Sequence, residues 1–198
     1  MIHYYRKGTA PRTFVLFHGT GGTEEDLVSI GNMLDPEAHI LSLRGEVNEN
    51  GMNRFFKRVT EGVFDEEDLK MRAERILQEI ERLLTHYGLE ETALYSAGYS
   101  NGANIIAGML YLFGDVFQKS ILFHPMVPLK SGAALSLDST EIFIGAGLND
   151  PIVPYDNTTQ LMQELSRQGA FVTMKTYEMG HRLTLEEVED AKAWYSAR

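Results

Sequence analysis

The stretch GYSNG, residues 98–102, sets Ser100 between Gly98 and Gly102 in the pattern G-x-S-x-G. A serine so placed is either a nucleophile or an ordinary turn residue, and its surroundings decide. The apolar run TALYSAGY (92–99) leads in, and an apolar helical pattern from about Asn101 to Phe113 leads out. A tight strand-to-helix turn lifts a hydroxyl above a sheet and aims the helix's first N–H groups at whatever reacts there. A serine hydroxyl is a weak nucleophile without a base, and the base needs an acid to orient it. Both occur further along the chain: Asp150 in GLNDPIVP and His181 in EMGH, each just past a strand-like run.

Other residues compete for these roles. Asp156 and Asp138 are the alternative acids. His18 precedes a glycine-rich turn, where a structural hydrogen bond is the simpler role. His124 follows a strand-like run but precedes Asp150, which inverts the usual Ser, Asp, His order; it is read as a pocket or supporting residue. A tetrahedral oxyanion needs two donors. The N–H of Asn101 is one candidate, and Thr20, in the turn that ends FVLFHGTGG, is the other. That turn has no Walker lysine and lacks the third glycine of G-x-G-x-x-G, so it is not a phosphate loop.

These groups must be carried by a scaffold. TFVLF (13–17), HILSL (39–43), TALYSAGY, KSILF (119–123), EIFIGAG (141–147) and FVTMKTY (171–177) read as strands, mostly continuously apolar, as in parallel sheets covered on both faces. IHYY adds a candidate antiparallel edge strand. Helices are expected from a Thr23 cap through about Leu34, from Glu66 to Tyr87 with Gly88 as its stop, from Asn101 to Phe113, and from Asn157 to Gln168. A last helix follows Thr184, which has capping-box spacing to Glu187, and packs Leu185, Val188, Ala191 and Trp194 inward. The alternation predicts a single α/β domain over residues 1–198, with a mostly parallel twisted sheet, helices on both faces and no separate cap domain. Ligand sites in such sheets lie beyond the carboxyl ends of the strands.

Residues 44–68 break the alternation as a long connection without a clean period. Met52, Phe55, Phe56 and Phe64 argue against disorder there. Arg44, Arg54, Phe55 and Phe56 from this segment, with His124, are the candidate substrate pocket. A wall this small suits short acyl groups better than a long fatty chain, each CH₂ of which contributes its ~0.8 kcal/mol only if buried.

Composition narrows the classes. The chain has 198 residues, no cysteine and a net charge of −10. Cysteine chemistry and disulfides are excluded, and nucleic acid and anionic membranes are disfavoured as partners. With no apolar leader at the N-terminus, a cytoplasmic protein is expected; a homodimer is the base-rate assembly.

HGTGG, GYSNG, GLNDPIVP and GHRLT, in that order, resemble the phospholipase/carboxylesterase family of α/β-hydrolases, and most of all its small bacterial carboxylesterases, which carry something similar to SLRGEVNENGMNRFF. The resemblance implies Ser100, Asp150 and His181 as a catalytic triad, with Thr20 and Asn101 as oxyanion donors. The acyl-protein thioesterase branch usually has Gln after the serine and HGLGD in the first loop; here these are Asn101 and HGTGG. The reading is therefore a serine esterase of small carboxylic esters, with no cofactor and no metal. A thioesterase or lysophospholipase and a peptidase share the triad; a non-catalytic binding protein on the same fold is the alternative of another class.

Overall fold

Alternate residues of each central strand serve opposite faces of one sheet. Val15 and Phe17 of β2 (Arg12–Phe17) join Leu41 and Leu43 of β3 (His39–Leu43) in one buried cluster, while Phe14, Leu16 and Ile40 join a second. The computed structural model describes residues 1–130 and 135–197. Its main sheet has seven strands in the order β1-β3-β2-β8-β9-β10-β11. These comprise β1 (His3–Arg6), β8 (Ala93–Tyr99), β9 (Lys119–Phe123), β10 (Glu141–Gly147) and β11 (Phe171–Tyr177), besides β2 and β3. All neighbours pair in parallel except β1 with β3, so IHYY is the antiparallel edge strand expected of it.

The first cluster packs the sheet against α2 (Glu66–Tyr87), α3 (Asn101–Phe113) and α4 (Tyr155–Arg167). The second packs it against α1 (Val28–Leu34) and α5 (Leu185–Ser196). The amphipathic stripe of α2 buries Leu69, Ala73, Ile76, Ile80 and Leu83, and Gly88 closes the helix in the left-handed region at φ 67°. No helix among the described residues is long and apolar enough to cross a membrane.

Three expectations change. The first helix begins at Val28, not beside Thr23. Thr23 instead organises a turn, its hydroxyl accepting from Glu25 N–H and donating to Asp26, while Glu24 folds in to meet Arg44. Leu185 is 61% exposed rather than packed inward, because as the first residue after the Thr184 cap it precedes the turn that meets the sheet. Residues 44–68 are not an irregular loop but two small hairpins. One pairs β4 (Val47–Glu49) with β5 (Met52–Arg54), and the other pairs β6 (Arg58–Thr60) with β7 (Val63–Phe64). Strands of two or three residues are too short to show a period, which hid them in the sequence.

Candidate active site

The turn from β8 into α3 places Ser100 at φ 52°, ψ −113°, a conformation seldom tolerated outside glycine. The strain persists because everything around the turn is packed. A Cβ on Gly98 would come within 2.6 Å of Gly102 C, and one on Gly102 within 2.0 Å of Phe17 O. Both glycines of the motif are thus required by the close passage of strand, helix and the neighbouring β2. The backbone N–H of Ser100 is tied to Phe123 O at 2.9 Å, which holds the turn over the carboxyl end of β9.

The loops after β10 and β11 bring Asp150 and His181 to this serine. Ser100 Oγ lies 2.9 Å from His181 Nε2, and His181 Nδ1 lies 2.7 Å from Asp150 Oδ2. A carboxylate only accepts, so His181 Nδ1 carries a proton and Nε2 is left to accept from the serine hydroxyl. Asp150 Oδ1 takes the N–H groups of Ile152 and Val153 at 2.8 and 2.9 Å. Burial alone raises its pKa, but these backbone donors and His181 outweigh it and leave the carboxyl below its ordinary value. The Asp150 side chain is fully buried while that of His181 keeps 14% exposure, so solvent and ligand reach the imidazole and not the acid. Tyr99 donates its hydroxyl to the His181 carbonyl, and burial first, then Asp150 and Glu187, push its pKa up to about 12. Of the competing acids, Asp156 heads α4 in its first turn and Asp138 lies exposed; neither bonds to His181.

Thr20 and Asn101 line the same small cavity as Ser100, together with Arg54, Arg58, Phe64, Asn104, Met126, Ile152 and Val153. The N–H of Asn101 heads α3, where no carbonyl one turn back can take it. The turn holding Thr20 is pinned by β5 at three points. Arg54 Nη1 donates to Thr20 Oγ1 at 2.8 Å, Asn53 Nδ2 to Gly22 O at 2.8 Å, and Gly21 N to Asn53 O at 2.9 Å. The Asn101 side chain reaches the same segment, its Oδ1 accepting from Phe55 N at 2.8 Å. The hairpin therefore links the turn after β2 to the turn after β8.

Three pocket expectations are corrected. Phe55 and Phe56 are 1% and 0% exposed and belong to the core under the hairpin, where they anchor it, and do not face the cavity. Arg44 points away from the cavity into a two-point pair with Glu24, whose carboxylate the turn after Thr23 presents to it. His124 does not line the cavity either; it lies behind Asp150, both ring nitrogens facing buried carboxylates. Arg54 lines the cavity although only 4% exposed. Burial and Arg58 lower its pKa while Glu49 opposes them. His18 takes the structural role anticipated: Nδ1 donates to Gly19 O and Nε2 accepts from Gly45 N at 3.0 Å, with burial holding the ring neutral.

Sequence reasoning missed Glu187. Its capping-box spacing was legible and the box forms, yet the same carboxylate is fully buried and also faces His124. Arg58 and Met126 were missed as cavity walls because they belong to no motif; Ile152 and Val153 lie in GLNDPIVP, but only the folded loop turns them to the cavity. His124, Asp150 and His181 are a cluster whose ligand atoms lie within 4.8 Å of one another, but they already bond to each other, so a cation there would have to break those bonds. A larger groove of about 590 Å³ lies among Arg12, Asp35, Lys119 and Tyr195, at the amino ends of β2 and β9. That is the wrong end of a parallel sheet for this chemistry.

The model of the dienelactone hydrolase family matches residues 46–197. This chain belongs to that family. It is a hydrolase, as the α/β-hydrolase resemblance implied. MhqD of Bacillus subtilis (strain 168), itself only provisionally named a hydrolase, is 43% identical over 195 residues, covering 98% of both chains. The Bacillus cereus carboxylesterase structure is 41% identical with a TM-score of 0.95, covering 98% of this chain and 92% of that one. YahD, solved with malic acid, is 34% identical with a TM-score of 0.92, covering 98% of this chain and 97% of that one. This family member shares the mostly parallel sheet and flanking helices of the two solved relatives and is similar to a carboxylesterase in sequence and shape.

Proposed function

We propose that this dienelactone hydrolase family member is a serine carboxylesterase acting on small esters through Ser100, His181 and Asp150. One observation carries the reading: the unbroken bond path from Ser100 Oγ through His181 to Asp150, opening on a cavity lined by Thr20 and Asn101. His181 Nε2 takes the serine proton as Oγ attacks the ester carbonyl. The N–H groups of Asn101 and Thr20 receive the developing oxyanion. The imidazolium then protonates the departing alkoxide, and the acyl group stays on Ser100. Water, deprotonated by the same imidazole, attacks the acyl-enzyme; the acid product leaves and Ser100 recovers its proton. Asp150 holds the His181 tautomer and stabilises its cation throughout.

The cavity volume is about 50 Å³, room for a short acyl group only. An adjoining cleft of about 310 Å³ shares Gly62, Phe64 and Met126 with it, and suits the other half of the ester. Arg54 and Arg58 on the wall, sharing Glu49 between them, favour substrates that carry a carboxylate. A fluorophosphonate probe should label Ser100 in the wild type and leave Ser100→Ala unlabelled. An unlabelled wild type would replace this reading with that of a ligand-binding protein on a hydrolase fold.

A further inference from the structure

Behind Asp150 lies a second imidazole that the mechanism above does not use. His124 follows β9 at φ 53°, its N–H bonded to Gly145 O at 2.8 Å. Its side chain is 1% exposed, and those of Asp150 and Glu187 are fully buried. Nδ1 lies 2.9 Å from Asp150 Oδ2, the oxygen that also receives His181. Nε2 lies 2.9 Å from Glu187 Oε1, off the line of a good hydrogen bond, and neither atom has another partner. The other Glu187 oxygen is taken by the N–H and hydroxyl of Thr184 at 2.7 and 3.0 Å.

Proton counting constrains this trio. A carboxylate oxygen only accepts, and a neutral imidazole has one N–H. Two buried carboxylates at 2.9 Å from the two nitrogens therefore favour a second proton in the trio, on His124 or on one of the carboxyls. The remaining groups facing His124 are the Tyr99 ring from β8, 5.9 Å away edge-on, and the His181 ring at 5.2 Å. Tyr177 of β11 stands beyond Glu187 and donates to Asp190. Burial works against a charged His124, but Glu187 and Asp150 together outweigh it and raise its pKa.

We propose that His124 is a positioning residue held as an imidazolium between Asp150 and Glu187, which fixes Asp150 Oδ2 toward His181 and tempers the hold of that carboxylate on a His181 proton. The inference rests on the triad reading above. Its physical basis is that a cation beside Asp150 offsets part of the carboxylate's field in a region where charges are poorly screened. Asp150 then orients His181 with part of its own charge already offset.

Two variants separate charge from structure. Asn tolerates positive φ, so His124→Asn suits that backbone; Gln at position 187 keeps a capping box, so Glu187→Gln removes the charge and spares the helix start. In ¹⁵N-histidine NMR, the resonances that disappear in His124→Asn report His124. In the wild type they should stay those of an imidazolium above the pH at which an ordinary histidine loses its proton, and in Glu187→Gln should titrate at lower pH. In His124→Asn the acid limb of kcat/KM should move up by about one pH unit, an activity loss of about tenfold on that limb. Adding Glu187→Gln to it should move the limb back, because the uncompensated anion is gone. A neutral His124 in the wild type overturns the proposal whatever His124→Asn does. So does a limb that stays in place while the plateau falls, the mark of a purely structural role. Failure of Ser100 to label with the fluorophosphonate would sink the hydrolase mechanism instead, and the NMR result would stand apart from it.

Discussion

The two sides of Ser100 are built on different physics. On the side of β9, β10 and α5, the site is held by buried charges: Asp150, His124 and Glu187, none more than 1% exposed in its side chain. On the side of β2 and the hairpins, it is held by backbone and amide bonds from β5 to the turns carrying Thr20 and Asn101, with one buried guanidinium. In the proposed mechanism the charged side controls a proton, so its geometry has to be fixed relative to fields. In the same mechanism the hairpin side positions neutral N–H donors and shapes a wall, so it needs only rigidity. A change on the first side should alter pH behaviour; one on the second should alter rate or selectivity at every pH.

The largest effect tests whether the two sides meet at Ser100 at all. Ser100→Ala should cut kcat by about 10⁶-fold, and His181→Ala by a similar amount, because they act as a unit. Asp150→Asn should cost about 10⁴-fold by favouring the wrong His181 tautomer. Steady-state kinetics would show the acid misassigned if Asp150→Asn stays near wild type while Asp156→Asn does not. Next comes the hairpin side: Arg54→Ala frees the Thr20 turn and should lower kcat roughly 10²-fold for neutral esters, with a further loss for acidic ones. A loss confined to acidic esters would make Arg54 a substrate contact alone.

Stability sharpens the contrast on the charged side. His124 has a raised pKa in the folded state, so its contribution is fully present below about pH 6.5 and is lost as pH rises through the folded value. Asp150 is depressed, so its contribution is present above about pH 3.9 and is lost as pH falls. The gap in urea midpoint between wild type and His124→Asn should therefore be widest near pH 6 and narrow in alkali. A gap independent of pH would deny His124 its charge. Arg54→Ala, by contrast, should show a near-constant gap across that range.

The smallest effects concern the walls. Phe64 and Met126 stand between the 50 Å³ cavity and the 310 Å³ cleft. Phe64→Ala should join the two and shift the p-nitrophenyl ester optimum from short toward longer acyl chains, with labelling of Ser100 unchanged. If the wild type already prefers long chains below their micelle concentration, the cavity has been misread. Arg58 is partly exposed and holds no turn, so Arg58→Ala should raise KM about fivefold for carboxylate-bearing esters, at the upper end for a solvated ion pair, and leave neutral esters alone.

Much of the fold was legible because its signals are local. Continuous apolar strands, the stripe of α2 and the caps at Gly88 and Thr184 depend on neighbours in sequence, and each forms where its pattern lies. The candidate triad was legible because the turn chemistry of GYSNG, LNDP and EMGH sits just past strands, and a parallel sheet gathers strand ends on one edge. Other features were decided by tertiary structure alone. Phe55 and Phe56 have the composition of a pocket wall, but whether an aromatic faces a cavity or a core depends on which side of a three-residue strand it leaves, and no period shows that. Arg44 and Arg54 look alike in sequence; Glu24 is there to take one, and the Thr20 turn and Glu49 to take the other. Glu187 reads as a helix cap, and nothing near it in the chain reveals that its second oxygen meets a histidine 63 positions earlier. Charge networks are long-range and assembled by packing, so the sequence by itself named the candidate reacting groups while the tertiary structure decided what surrounds them.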